Sequence, residues 1–156
     1  RIKELKKIII RQAELNDLPQ IVKLMTEDVL GSQRELYTEP LPKCYIDAFE
    51  NISKDKNSIL LVACDNGTVI GNLQITFTQY LSHKGSIRAT IENVHIAENK
   101  RNLGIGTQLM NYAINMAKEK SCSIVQLTSN KTRTDAHRFY ERLGFKSTHE
   151  GMKLEI

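Results

Sequence analysis

The chain holds no tryptophan, only three prolines and only three cysteines among its 156 residues. So little proline, and no Pro/Gly/Ser-rich stretch or repeat, leaves no linker along which to divide it. A single domain over residues 1–156 is expected, a length that can bury a sizeable core. Cys44, Cys64 and Cys122 are odd in number, and no two stand at metal-ligand or redox spacing. A disulfide scaffold is thereby excluded, and a cytoplasmic location is expected. No His/Cys/Asp cluster has metal spacing, so no metal is expected. No apolar run nears the roughly 20 residues that cross a bilayer, and no signal-peptide pattern is present. The first residue is Arg1 where Met would stand, so a slightly trimmed front is expected. Strong charge of one sign is missing too. Twenty-two Lys and Arg against 18 Asp and Glu leave a formal +4. A nucleic-acid binder gathers its positive charge into a patch, and the densest basic run here is only Lys3–Lys7. Neither nucleic acid nor membrane is expected as a partner, whereas a mildly basic chain suits a polyanionic small ligand.

What is present reads as alternating strands and helices. Ile8–Ile10 is β-branched and reads as a strand. Asn16-Asp17 before Pro19 reads as a helix start, with Leu18, Ile21, Val22, Leu24, Met25 and Val29 at helical spacing. A polar loop from Gly31 leads to a second helix over about 42–54, with Tyr45, Ile46 and Phe49 inward. Residues 58–64 and 69–80 read as strands around Asp65-Asn66-Gly67-Thr68, a hairpin turn because Asn and Gly tolerate positive φ. His83-Lys84-Gly85 turns the chain into a strand over 87–96. A helix to about Lys120 follows, with Ile105, Leu109, Tyr112, Ala113 and Met116 as its apolar face. A short buried strand over 124–128, a helix over 134–143 capped by Gly144, and a closing strand within 145–156 complete the order. The expectation is a mixed α/β fold with helices on the faces of its sheet.

The chemistry is concentrated at Arg101-Asn102-Leu103-Gly104-Ile105-Gly106-Thr107, where a strand gives way to a helix. First-turn N–H groups of a helix have no internal partner, and with the helix dipole they form an anion site. Gly104 and Gly106 remove side chains that would hold a phosphate off the backbone, and Arg101 adds charge-assisted hydrogen bonds. A Walker loop would continue Gly-Lys-Ser/Thr, and a dinucleotide fingerprint would place a third glycine where Leu109 stands. Both nucleotide motifs are disfavoured. Downstream lies Thr134-Asp135-Ala136-His137-Arg138-Phe139-Tyr140-Glu141-Arg142-Leu143-Gly144-Phe145.

The first segment resembles the Arg/Gln-x-x-Gly-x-Gly/Ala signature of the GNAT superfamily of N-acetyltransferases. The second is similar to that superfamily's Ala-x-x-Phe-Tyr-x-x-x-Gly-Phe signature and follows in the same order. The resemblance covers Ile8 to Ile156 and is nearest to small stand-alone bacterial-type members. It implies a mostly antiparallel mixed sheet, helices on both faces, and a central strand pair that splays apart to take the pantetheine arm of acetyl-CoA. Here that pair is 87–96 and 124–128. The resemblance implies that the backbone of Val94, His95 and Ile96 pairs with the pantetheine amides. It also implies that Arg101, Asn102, Leu103, Gly104, Ile105, Gly106 and Thr107 hold the pyrophosphate, and that Asn130 touches the cofactor arm. His137 is a weaker candidate for lining that path.

The implied reaction is attack of an amine on the thioester. An alkylamine with a pKa of about 10.4 needs a base at neutral pH. Glu92 is the candidate base, and Tyr140 the candidate acid for the leaving thiolate. A backbone N–H near His95 or Ile96 is placed to stabilise the oxyanion. His95 stands near Glu92 in sequence but need not share its face, and a bulge in this strand, common in that superfamily, would break simple alternation. Acceptor specificity is expected from the first two helices and their loop, where Glu27, Asp28, Glu35 and Glu39 flank Tyr37. An unidentified primary amine is therefore the expected second substrate, and homodimers are common among such proteins. The competing readings are a non-catalytic acyl-CoA-binding or regulatory domain, and a plain nucleotide-binding domain.

Overall fold

The structure, a computed structural model, describes residues 7–156. The basic run Lys3–Lys7 lies outside the described residues except for Lys7. Five strands form one sheet in the order β1 (Ile8–Gln12), β2 (Ser58–Asp65), β3 (Thr68–Gln79), β4 (Ile87–Ile96) and β5 (Ile124–Leu127). The first four are antiparallel, and β5 runs parallel to β4. The β2–β3 hairpin closes through Asn66 (φ 50°) and Gly67 (φ 81°), two left-handed residues whose twist matches that of the strands. At Ser82–Gly85 the chain makes one tight turn, with His83, Lys84 and Gly85 all at positive φ.

Helices cover both faces. α1 (Leu18–Glu27) and α2 (Lys43–Lys54) lie on one; α3 (Ile105–Glu119) and α4 (Thr134–Arg142) lie on the other. The strand period of two sorts the side chains between them. Leu61, Ala63, Leu73, Ile75, Phe77, Ala89 and Ile91 pack toward α3, while Leu60, Val62 and Cys64 join Ile21 and Leu24 of α1. α1 is pinned to β1 by Asp17, which accepts a two-pronged bond from Arg11 (2.7 and 2.9 Å) and one from the Glu14 N–H. That pairing holds the Asp17 carboxyl below the usual range despite burial.

Three expectations need correcting. The buried stripe of α3 is Ile105, Leu109, Met110, Ala113 and Ala117. Tyr112 is exposed and Met116 half-buried at the rim, because the alanines bring the helix down on the line through residues 113 and 117. The strand at 124–127 is half-buried, with Ile124 exposed, because it forms the sheet's edge. No strand forms over 145–156: the segment meets no partner ladder, and Lys146–Ile156 is exposed throughout. The splayed pair β4–β5 consequently stands at the sheet's rim.

Candidate active site

β4 is ten residues long and β5 only four, so the two pair over Arg88–Ile91 against Ile124–Leu127 and then part. Beyond Ile91 one edge of β4 remains paired with β3, and the other faces a gap where β5 has ended. The backbone of Val94, His95 and Ile96 borders that gap. An extended ligand bearing amides could add there as a strand would.

β4 is bulged. Gln74 pairs with Glu92, but Asn72 pairs with His95, so one extra residue is inserted between them. Asn93 adopts φ 58° to accommodate it. The parity change turns His95 onto the same sheet face as Glu92, while Val94 and Ile96 pack toward α3. The bulge is held by side chains. Buried Asn72 donates Nδ2 to the Asn93 carbonyl at 3.0 Å, and Asn93 Nδ2 contacts Met25 Sδ of α1 at 3.0 Å. His95 Nδ1 lies 3.2 Å from that same carbonyl. A carbonyl only accepts, so Nδ1 carries the hydrogen and, in the neutral ring, Nε2 keeps its lone pair. Burial, together with Arg133 and Arg34, lowers the His95 pKa against the opposing pull of the Asn93 carbonyl and Asp28. The ring is neutral at pH 7. Glu92 is exposed and makes no ion pair among the described residues.

The glycine loop follows directly. Asn102 (φ 62°) and Gly104 (φ 79°) are left-handed, and Gly104 caps α3 with no side chain over its first N–H groups. A Cβ at Gly104 would meet nothing within 4 Å. Its glycine requirement is therefore conformational, and the space before the helix is open. Gly106 differs. A Cβ there would stand 3.2 Å from Phe139 Cζ, so this glycine lets α4 lean on the start of α3. Arg101 sends Nε back toward the Ile96 carbonyl at 3.4 Å, which leaves the rest of its guanidinium at the surface. Leu103 is exposed. The N–H groups of Ile105, Gly106 and Thr107 occupy the helix's first turn and have no intrahelical acceptor.

α4 brings Phe139 against the glycine helix, and Tyr140 packs half-buried beside it. The Tyr140 ring sits between Phe139 (centroids 5.2 Å) and Phe145 (6.0 Å). Burial raises its pKa, with Arg133 pulling the other way. Its hydroxyl stays protonated at neutral pH and bonds to no side chain among the described residues. The Asn130 side chain is occupied in shaping the β5–α4 loop, since its Oδ1 accepts from the Thr132 N–H and hydroxyl. His137 Nε2 contacts the Asn130 carbonyl at 3.0 Å and clamps the same loop. Both candidates thus make local bonds within that loop.

Sequence reasoning missed the tie across the site. Arg133, just before α4, makes a two-pronged pair with Asp28, just after α1, at 2.8 and 2.5 Å. Burial works to raise the Asp28 pKa, but Arg133 and the Gly31 N–H outweigh it and the carboxyl is held low. The two residues are 105 positions apart, a separation no local pattern signals. The expected acidic rim is largely spoken for: Asp28 by Arg133, Glu35 by Arg34 and the Tyr45 hydroxyl, and Glu39 by the Tyr37 hydroxyl.

The model of the acetyltransferase (GNAT) family matches residues 26–145. The aminoalkylphosphonate N-acetyltransferase of Salmonella typhimurium is 31% identical over 107 residues, 69% of each chain. A solved structure described as a transcriptional regulator from Bacillus halodurans is 51% identical, with TM-score 0.94, and covers 96% of this chain and 100% of its own. A Clostridium acetobutylicum protein solved with acetyl-CoA is 21% identical with TM-score 0.73 over 96% of each chain, a likeness of fold.

Proposed function

The chain belongs to the GNAT family and is an acetyl-CoA-dependent N-acetyltransferase, and we propose that it acetylates a primary amine of a small molecule or peptide by direct attack in a ternary complex. The observation that carries this reading is the unpaired edge of β4 running straight into the open N-terminus of α3. One end suits the amides of pantetheine, the other its pyrophosphate.

In this reading Glu92 takes a proton from the ammonium form of the acceptor, directly or through water. The freed amine forms the N–C bond to the thioester carbon, and N–H groups along Val94–Ile96 stabilise charge on the carbonyl oxygen. As the C–S bond breaks, the Tyr140 hydroxyl gives its proton to the departing sulfur and is reprotonated, through water, by the second proton that the nitrogen sheds as the amide forms. A raised pKa suits Tyr140 to that task, because the group must be protonated when the thiolate leaves. Arg101 and the first turn of α3 hold the pyrophosphate; Asn130 and His137 border the arm.

One of the relatives is described as an aminoalkylphosphonate N-acetyltransferase. The Salmonella relative's aminoalkylphosphonates therefore join polyamines, aminoglycosides and peptide amines in the acceptor panel. Calorimetry with acetyl-CoA, paired with detection of free thiol across that panel, tests the proposal. Acceptor-dependent thiol release is expected. Tight binding with no release for any amine would favour the regulatory role that the Bacillus halodurans relative's description suggests. A thermal shift with ATP and none with coenzyme A would overturn the donor assignment.

A further inference from the structure

The bulge in β4 leaves an imidazole with one nitrogen committed and the other free. Inserting Asn93 puts Glu92 and His95 on one sheet face, paired with Gln74 and Asn72 of β3. Those two partners are two residues apart, so Glu92 and His95 stand about 7 Å apart along the strand. His95 Nδ1 donates to the Asn93 carbonyl, which is fixed in turn by Nδ2 of buried Asn72. His95 Nε2 makes no hydrogen bond among the described residues. Nor is it one of their sealed polar atoms without a partner, which are Asn72 Oδ1, Ser86 Oγ and Arg88 Nε. It is therefore an open lone pair on the face of the candidate base.

The surroundings preserve that lone pair. Burial disfavours the charged ring, and Arg133, just before α4, and Arg34, between α1 and α2, oppose it too. Asp28, just after α1, is the carboxylate that favours a charged ring, but both its oxygens are taken by Arg133. Glu92, on the same strand, is exposed and makes no ion pair among the described residues. His95 is thus a neutral hydrogen-bond acceptor whose tautomer the backbone dictates. A histidine held only for packing would bond its second nitrogen or bury it among apolar groups at a cost.

We propose that His95 Nε2 accepts a hydrogen bond from the acceptor's amine, so that the substrate nitrogen is held between Glu92 and His95. A primary ammonium has three N–H donors and no lone pair. A carboxylate and an imidazole lone pair match it, whereas a second cation would repel it. A nitrogen bonded to two acceptors at about 2.9 Å each, near the tetrahedral angle, needs them about 5 Å apart. Two side chains rooted about 7 Å apart on one face can lean together to that spacing. Once Glu92 has taken a proton, the N–H given to Nε2 fixes how the freed nitrogen turns toward the thioester. The contact presupposes an amine acceptor, and so rests on the acetyl-transfer reading.

Two measurements on the full chain test this. Nitrogen-15 spectra of the imidazole at pH 7.5 should show Nδ1 protonated and Nε2 bare. The Nε2 signal should shift when a primary amine of the panel, spermidine first, is added to protein saturated with coenzyme A. Steady-state rates with an amine that supports thiol release give the second readout. The acceptor KM should rise about fivefold or more as pH falls from 7.5 to 5, with acetyl-CoA affinity steady. His95→Leu should raise that KM about 10-fold already at pH 7.5. His95→Gln, which keeps an acceptor that does not titrate, should restore most of the loss and flatten the pH dependence. A proton on Nε2 at pH 7.5 overturns the proposal, as does a KM that His95→Leu leaves alone. So does acetyl-CoA affinity that falls in step with the acceptor's. If no amine releases thiol, the transfer reading fails, yet a shifted Nε2 signal would still place the amine on His95. A signal that no amine moves overturns the proposal.

Discussion

The two sides of the cleft are made of different material. On the glycine-loop side, the groups aimed at the gap are main-chain N–H groups on the open edge of β4 and in the first turn of α3. They are placed by strand and helix geometry, and by Gly104 at φ 79°. On the α1–α2 side the groups are side chains, and most are already paired: Asp28 with Arg133, Glu35 with Tyr45, Glu39 with Tyr37. Backbone sites are rigid and indifferent to most substitutions nearby. Side-chain sites change with every residue that lines them. A fold can therefore keep one donor while its acceptor varies.

That contrast can be broken at its strongest point by Gly104→Glu. The new side chain must take a left-handed conformation and puts a carboxylate where phosphate would sit, so acetyl-CoA affinity should fall by roughly 100-fold or more. Calorimetry giving an unchanged affinity would strip the loop of its role. Next in size is Tyr140→Phe. Turnover should drop by about 10- to 100-fold while acetyl-CoA affinity holds, and steady-state rates beside a binding titration would separate the two. Equal turnover in the variant returns Tyr140 to packing alone.

Gly106→Val asks whether both glycines serve the ligand. The branched side chain meets Phe139, so the fold should lose about 1–3 kcal/mol, visible as a lower melting temperature. A variant that melts like the wild type but binds coenzyme A poorly would reverse the assignment. Asp28→Asn removes the charge from the tie across the cleft. A loss of about 1–2 kcal/mol is expected, together with a higher KM for the acceptor and an unchanged affinity for acetyl-CoA. Equal disturbance of both substrates would mean that the two sides are not separable.

The smallest expected effect is on pH dependence. His95 has a folded pKa below its ordinary 6.5. The unfolded chain thus binds the proton more readily, and stability rises with pH wherever that holds. The contribution from His95 is complete above about 6.5 and is lost as pH falls toward the lower folded value. Asp28, Arg133 and Arg34 face the ring from the surrounding segments and set the depth of that shift. Denaturant midpoints measured from pH 7.5 down to 5 should fall less in His95→Gln than in the wild type, and parallel curves would count against a buried neutral ring.

Much of the fold and the donor half of the site is legible in the chain itself. Asn66-Gly67, the Gly104 loop, the Phe139-Tyr140 helix and the strands over 58–64 and 87–96 all announce themselves locally, through turn chemistry, period and cap residues. The family match bears out the resemblance those motifs carry. Other features have no local signal. The Asn93 bulge depends on Asn72 arriving from β3. The Asp28–Arg133 pair depends on α1 and α4 meeting across the cleft. That Gly106 also makes room for Phe139 depends on α4 arriving against the start of α3. Residues 145–156 read as a strand by composition, yet a strand exists only where a partner supplies the ladder.

The sequence by itself determined where strands, turns and helix caps fall, and which loop offers bare N–H groups, because those depend on backbone preference over a few neighbouring residues. The tertiary structure decided that β4 outruns β5, that the bulge turns His95 onto the face of Glu92, and that the acidic residues near α1 are mostly paired. Each of these is a contact between segments tens of residues apart, set by how the layers pack.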